Sequence, residues 1–236
     1  MKAVIAIAAL LLGAAAFLAS RRRRYVATYF DAIPVNKQFW LERNKENGEL
    51  LYAAIGDSAA QGIGASSPDR SYVGLLAEHM GAATGRTVRV ANLGISGGTV
   101  STAIRSELPR FSKLEPDVVT VCIGANDVLA FDAVRFEKEI RQLFAALPAH
   151  AIVADLPSFH FLPLERTAKR AGRIIRTIAG EHGFTMVDLH ATTRRVGLRG
   201  VATQFAGDLF HPNDAGYRVW ASAFTAAVDA RLAQIA

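Results

Sequence analysis

The chain has 236 residues, a length that suits one domain with a terminal appendage and can bury a large core without disulfides or metal. Hydrophobic residues make up 51% and charged residues 20%, an ordinary globular composition shifted slightly toward the apolar. The net charge of +6 is concentrated in Arg21–Arg24, so the body is nearly balanced, and with no basic stripe interleaved with aromatics nucleic-acid binding is not expected.

Residues 1–24 come first. Ala3 to Ala19 is an apolar run without a charge, preceded by Lys2 and followed by Ser20 and the four arginines. Its length fits the short end of the membrane-spanning range of about 17–25 residues. A cleaved signal carries its positive charge ahead of the apolar run. Here the larger cluster follows it, so a retained anchor is expected, with export after cleavage as the alternative. The positive-inside rule keeps the arginines, and the body behind them, cytoplasmic.

Residues 25–48 read as a connector of mixed polarity containing Pro34, in which Tyr29, Phe39 and Trp40 serve either an interface or the packing of a linker helix. From residue 49 to residue 236 short apolar runs alternate with longer amphipathic ones, the mark of a βαβ domain. Strands are expected at Leu50–Ile55, Val88–Asn92, Asp117–Ile123, Ala151–Asp155 and Phe184–Asp188. Helices are expected at Tyr72–Met80, Thr99–Leu108, Phe136–Leu147, Leu164–His182 and Ala215–Ile235. Together they predict a five-stranded parallel sheet covered on both faces. The single cysteine, Cys122, falls inside the third strand and reads as a core residue.

Ligands of open parallel sheets bind outside the carboxyl ends of the strands. Three polar, glycine-rich loops sit there: Gly56-Asp57-Ser58, Gly94 to Gly98, and Gly124-Ala125-Asn126-Asp127. Ser58 directly follows a buried strand, and a serine hydroxyl needs a base within hydrogen-bond reach to act as a nucleophile. Of six histidines, five lie in or beside elements without an obvious orienting acid. His211 stands three residues after Asp208 and before Pro212, which holds the backbone out of the helical region. An acid at that spacing can bind the imidazole Nδ1–H and leave Nε2 to accept the serine proton. Donors for an oxyanion, each worth about 3–4 kcal/mol, are the backbone N–H groups of Ser58 and Gly97 and the side-chain amide of Asn126. Asp57 and Asp127 read as loop-organising acceptors. The Gly94–Gly98 stretch lacks the spacing of a phosphate cradle, and the histidines lack metal-ligand spacing.

The segments Gly56-Asp57-Ser58-Ala59-Ala60-Gln61-Gly62, Asn92-Leu93-Gly94-Ile95-Ser96-Gly97, Gly124-Ala125-Asn126-Asp127 and Asp208-Leu209-Phe210-His211-Pro212 resemble, in order, the four signature blocks of the SGNH/GDSL hydrolases. That resemblance implies a flavodoxin-like three-layer α/β/α sandwich, here preceded by the expected N-terminal apolar helix, and an esterase that needs no cofactor. It assigns Ser58 as nucleophile, His211 as base and Asp208 as its orienting acid, with Ser58, Gly97 and Asn126 forming the oxyanion hole. Ala59-Ala60 replaces bulkier residues common after the serine, which bears on the shape of the acyl pocket. The expected reaction is hydrolysis of a carboxylic ester through an acyl-serine. With an apolar N-terminus, a lipase, lysophospholipase or thioesterase comes first and a carbohydrate acetylesterase second; a catalytically silent, membrane-held binding protein is the rival from another class. Oligomeric state is not legible.

Overall fold

Five short runs rich in Val, Ile and Ala form one sheet in the computed structural model, which describes Gly13, Ala16, Ser20 and residues 28–236. The strands are β1 (Leu50–Gly56), β2 (Val88–Asn92), β3 (Val118–Cys122), β4 (Ile152–Ala154) and β5 (Thr185–Val187), all parallel in the order β2-β1-β3-β4-β5. Alternate side chains of each strand enter two separate cores. Leu50, Tyr52 and Ala54 face one, and Ala53 and Ile55 face the other.

The first core is closed by α3 (Tyr72–Thr84) and α10 (Asp214–Leu232), through Leu76, Met80, Phe224 and Val228. The second is closed by α6 (Ala133–Phe144) and α7 (Leu164–Glu181), through Phe136, Ile140, Ile175 and Ile178. Each such side chain contributes about 1.5–3 kcal/mol by leaving water. Cys122 is buried among them. The two sides of β1 are occupied by strands that leave it in opposite chain directions, so a crevice opens at the carboxyl ends of β1 and β3.

The expected strands all form: β2 matches, β1 runs one residue further, and β3, β4 and β5 are one residue shorter at each end. The helices differ more. Asp132 caps α6 by accepting from the N–H groups of Val134 and Arg135, which starts it three residues early. The helix expected at Thr99–Leu108 runs further, as α4 (Val100–Thr102), a π-helical stretch (Ala103–Glu107) and α5 (Leu108–Phe111). Three helices were not anticipated: α2 (Ser58–Gln61), α8 (Leu189–Arg195) and α9 (Gly197–Thr203). The last two lack an apolar stripe of helical period, and α9 carries two glycines, so neither shows in a periodicity reading.

The stretch read as connector is helical over residues 28–43 (α1) and continues through Pro34. It is held by tertiary contacts: Trp40 is buried in the first core, and Asn36 Nδ2 and Trp40 Nε1 both donate to the carbonyl of Gln61, at 2.9 and 3.1 Å. Apart from Gly13, Ala16 and Ser20, the apolar run and the arginine cluster lie outside the described residues. Among those described, no helix is long and apolar enough to cross a membrane.

Candidate active site

β1 ends at Gly56, and Asp57 caps α2 by accepting from the Ala59 N–H at 2.9 Å. Ser58 is therefore the first residue of a helix, where the N–H has no carbonyl four residues back to serve. The serine is 3% exposed. Gly62 ends the helix in the left-handed region. Two residues on, Gly64 has φ +92°, and a Cβ there would lie 2.5 Å from the Pro212 carbonyl and 2.9 Å from His211 Cβ. Only glycine lets these two segments approach so closely.

His211 arrives from the other end of the chain. The Ala206 N–H donates to the His211 carbonyl at 2.8 Å, closing a loop whose tip, Leu209, is held at φ +57°. Such a conformation is costly for a residue with a Cβ. It turns the Asp208 carboxylate back on its own loop. Oδ1 accepts from the N–H groups of Phe210 and His211, both at 2.9 Å, and Oδ2 lies 2.6 Å from His211 Nδ1. Burial pushes the Asp208 carboxyl up, but the bond from His211, its charge and the two N–H donors outweigh that and hold it below the ordinary carboxylate range. His211 Nε2 is 2.8 Å from Ser58 Oγ. The carboxylate, imidazole and hydroxyl thus form an unbroken chain of hydrogen bonds.

The other two expected loops meet beside it. Asn126 Nδ2 donates to the Gly98 carbonyl at 2.9 Å, and Asp127 Oδ2 accepts from the Val100 N–H at 3.0 Å. An amide has two N–H groups, so fastening the loop leaves Asn126 one more. Gly97 lies at the exposed tip with φ +75° and open space where a Cβ would be. Asp57 and Asp127 act as the loop-organising acceptors expected of them.

Two groups packed around the site had no signal in the sequence. Glu107 is fully buried at the end of the π-helical stretch, with Oε2 accepting from the Gly56 N–H at 3.0 Å and Oε1 without a partner among the described residues. Burial raises its carboxyl to about 8, so it is a neutral acid behind the serine. Tyr29 of α1 stacks on the His211 ring, centroids 4.9 Å apart and planes at 23°.

Beside Ser58 and His211 opens a cavity of ≈ 210 Å³. Its walls include Phe159, Phe161, Val201, Phe205, Phe210 and Trp220. Glu165 shapes one wall: its Oε2 accepts from Ser158 Oγ and from the N–H groups of Phe159 and His160, at 2.9–3.2 Å. Its Oε1 meets His190 Nε2 at 3.0 Å. His190 therefore does have an acid partner, as does His79 with Asp229 at 2.6 Å, but neither stands near a serine in the way His211 does.

The GDSL-like Lipase/Acylhydrolase family model matches residues 54–219, which hold Ser58, Gly97, Asn126, Asp208 and His211. An acetylxylan esterase from Geobacillus stearothermophilus is 29% identical in a 154-residue alignment covering 58% of this chain and 70% of that protein. Among solved structures, an α/β hydrolase enzyme from the metagenome of Lake Arreo, Spain, superposes with TM-score 0.65 and 28% identity over 78% of this chain and 97% of its own. Two catalytic mutants of the Geobacillus esterase, one serine-to-alanine and one aspartate-to-alanine, superpose with TM-score 0.65 and 26% identity over 78% of this chain and 96% of theirs. With a family match over most of its length and a five-stranded parallel sheet like those of these neighbours, the chain belongs to the GDSL-like lipase/acylhydrolase family of serine ester hydrolases.

Proposed function

We propose that Ser58 attacks the carbonyl carbon of a carboxylic ester while His211 Nε2 takes the hydroxyl proton. Asp208 keeps Nδ1 protonated and stabilises the imidazolium that forms. The charge on the tetrahedral oxygen is met by the N–H groups of Ser58 and Gly97 and the free N–H of Asn126. His211 returns the proton to the departing alcohol, leaving an acyl-serine. Water, deprotonated by the same imidazole, then releases the acid and restores Ser58. The observation that carries this reading is the 2.6 Å and 2.8 Å pair of contacts on the two nitrogens of His211. The relative's catalytic mutants replace a serine and an aspartate, the residue types at positions 58 and 208.

The cavity beside Ser58 takes the acyl group. A protein cavity of 150 Å³ holds one benzene ring, so at equal packing 210 Å³ holds about eight carbons. Its aromatic lining favours an aliphatic acyl chain over acetyl. The acetylxylan esterase relative favours the second reading, a carbohydrate acetylesterase. A panel of p-nitrophenyl esters from acetyl to dodecanoyl, run against acetylated xylo-oligosaccharides, separates them. Medium chains are expected to be fastest; a maximum at acetyl together with turnover of the acetylated sugar would establish the second reading. A fluorophosphonate probe is expected to label Ser58, and undiminished turnover by Ser58→Ala would overturn both.

We further infer that residues 1–24 tether the hydrolase body, residues 49–236, to a membrane on its arginine-bearing, cytoplasmic side.

A further inference from the structure

Exposed apolar side chains gather where the acyl cavity opens. Phe161 and Leu209 line the cavity and yet are 60% and 70% exposed; Leu162, the next residue along, is 63% exposed. Phe30 is 62% exposed and lies edge-on to Tyr29, centroids 5.1 Å apart, while Tyr29 in turn stacks on His211. Exposed apolar side chains at the cavity mouth and on α1, linked through the Tyr29–His211 stack, are of the kind that marks an interaction surface. The elements flanking the cavity also carry cations: α8 ends in Arg194 and Arg195 and α9 holds Arg199, all exposed.

The length of chain ahead of α1 says what covers these side chains. Arg24 and Tyr29 are five residues apart, and even a fully extended chain spans at most about 18 Å over that distance. Whatever surface binds Arg24 therefore lies within that reach, extended by one arginine side chain, of the residue stacked on the catalytic imidazole. Anionic headgroups complement Arg21–Arg24, and the apolar run before them suits the hydrocarbon beneath. We propose that the rim of Phe30, Phe161, Leu162 and Leu209 rests in the surface of an anionic bilayer, so that the mouth of the cavity opens onto the membrane and takes its ester from there. This rests on the tethering reading of residues 1–24 and adds to it an orientation: the start of α1, stacked on His211, turns the site toward the membrane rather than away from it.

The test uses the full chain, in which the native Cys122 is buried, with an environment-sensitive fluorophore on Leu162→Cys or, as control, on Lys113→Cys. Lys113 is exposed and precedes β3, at the opposite end of the sheet. With vesicles of phosphatidylcholine and phosphatidylglycerol at about three to one, the label at 162 is expected to brighten and shift to the blue while the label at 113 stays water-like. Both labels unchanged, or both changed alike, would overturn the orientation. A blue shift at 162 that needs only higher protein concentration would show a second copy on the rim instead. In the double variant Phe30→Ser/Leu162→Ser, turnover of 4-methylumbelliferyl octanoate carried in the vesicles is expected to fall at least about tenfold, with p-nitrophenyl acetate in free solution turned over as before. Equal loss on both esters would sink the proposal. Absence of all esterase activity in the parent chain would count against the proposed reaction, while the fluorescence readout would still decide the orientation.

Discussion

Tyr29 and His211 lie ring against ring, centroids 4.9 Å apart and planes inclined by 23°. The first comes from a helix ahead of the sheet and the second from the loop that precedes the last helix. The tyrosine covers one face of the imidazole, Phe210 meets the ring edge-on with centroids 5.0 Å apart, and Asp208 and Ser58 occupy its two nitrogens. Removing that ring admits water beside the bond from Nε2 to Ser58. An aromatic pair is worth about 0.5–1.5 kcal/mol, so Tyr29→Ala is expected to lower kcat/KM about two- to tenfold. Tyr29→Phe, which keeps the ring, is expected to match the parent. Steady-state kinetics on a soluble ester checks both, and equal loss in the two variants would point to the hydroxyl instead.

Asp208 accepts two backbone N–H groups on one oxygen and the imidazole on the other. Asp208→Asn keeps the size but offers Nδ1 a donor or a weaker acceptor, which favours the wrong tautomer. The expected fall in kcat is about 10⁴-fold, with an unchanged circular dichroism spectrum. A loss below about tenfold would remove Asp208 from the relay.

Val201 of α9 lines the cavity beside Ser58, the proposed acyl site. Val201→Phe is expected to fill part of it. Burying each methylene is worth about 0.8 kcal/mol, or about fourfold in rate, so shutting out three or four of them predicts a loss of about 100-fold for octanoyl esters. Acetyl esters are expected to stay within about threefold of the parent. Uniform loss across the chain-length series would place the acyl group elsewhere.

Glu107 carries the clearest pH signature. Its carboxyl is raised to about 8 in the folded protein, by burial, from the ordinary 4.5. Between those values the folded state holds a proton that the unfolded chain has released. The contribution of Glu107 to stability is therefore fully present below the lower value and falls by about 1.4 kcal/mol per pH unit until the folded-state carboxyl ionises. Glu107→Gln is expected to remove this slope while keeping an acceptor for the Gly56 N–H. Urea unfolding at pH steps from about 5 to 9 measures it, and an unaltered slope in the variant would refute the assignment.

Much of this was legible from residue order alone. The strands announce themselves through branched side chains, and β2 occupies the predicted residues Val88–Asn92. The Asp208–His211 contact is local, so a three-residue spacing was enough to expect it. Contacts made only by folding were not legible. Glu107 looks like any helix carboxylate until the sheet places the Gly56 N–H against it, and Glu165 shows its role only through three donors on the loop it orders. The helix at residues 28–43 has no motif; its reason for existing is the surface it meets. In α8 weak local propensity is overridden by the position of Asp188, whose side chain caps the helix through the Ala191 N–H and pairs with Arg176.

The paired donation of Asn36 and Trp40 to one carbonyl has a practical corollary. Gln61 closes the single turn that begins with Ser58, and its side-chain amide also reaches the Gly94 carbonyl at 2.7 Å. A shortened chain starting at Glu49 would keep every group of the proposed relay but strand the Gln61 carbonyl, uncover the first core where Trp40 had been, and bare the imidazole. The smallest portable version of this enzyme accordingly begins upstream of Thr28, and grafts or fusions designed around the first strand would inherit the parts without the brace.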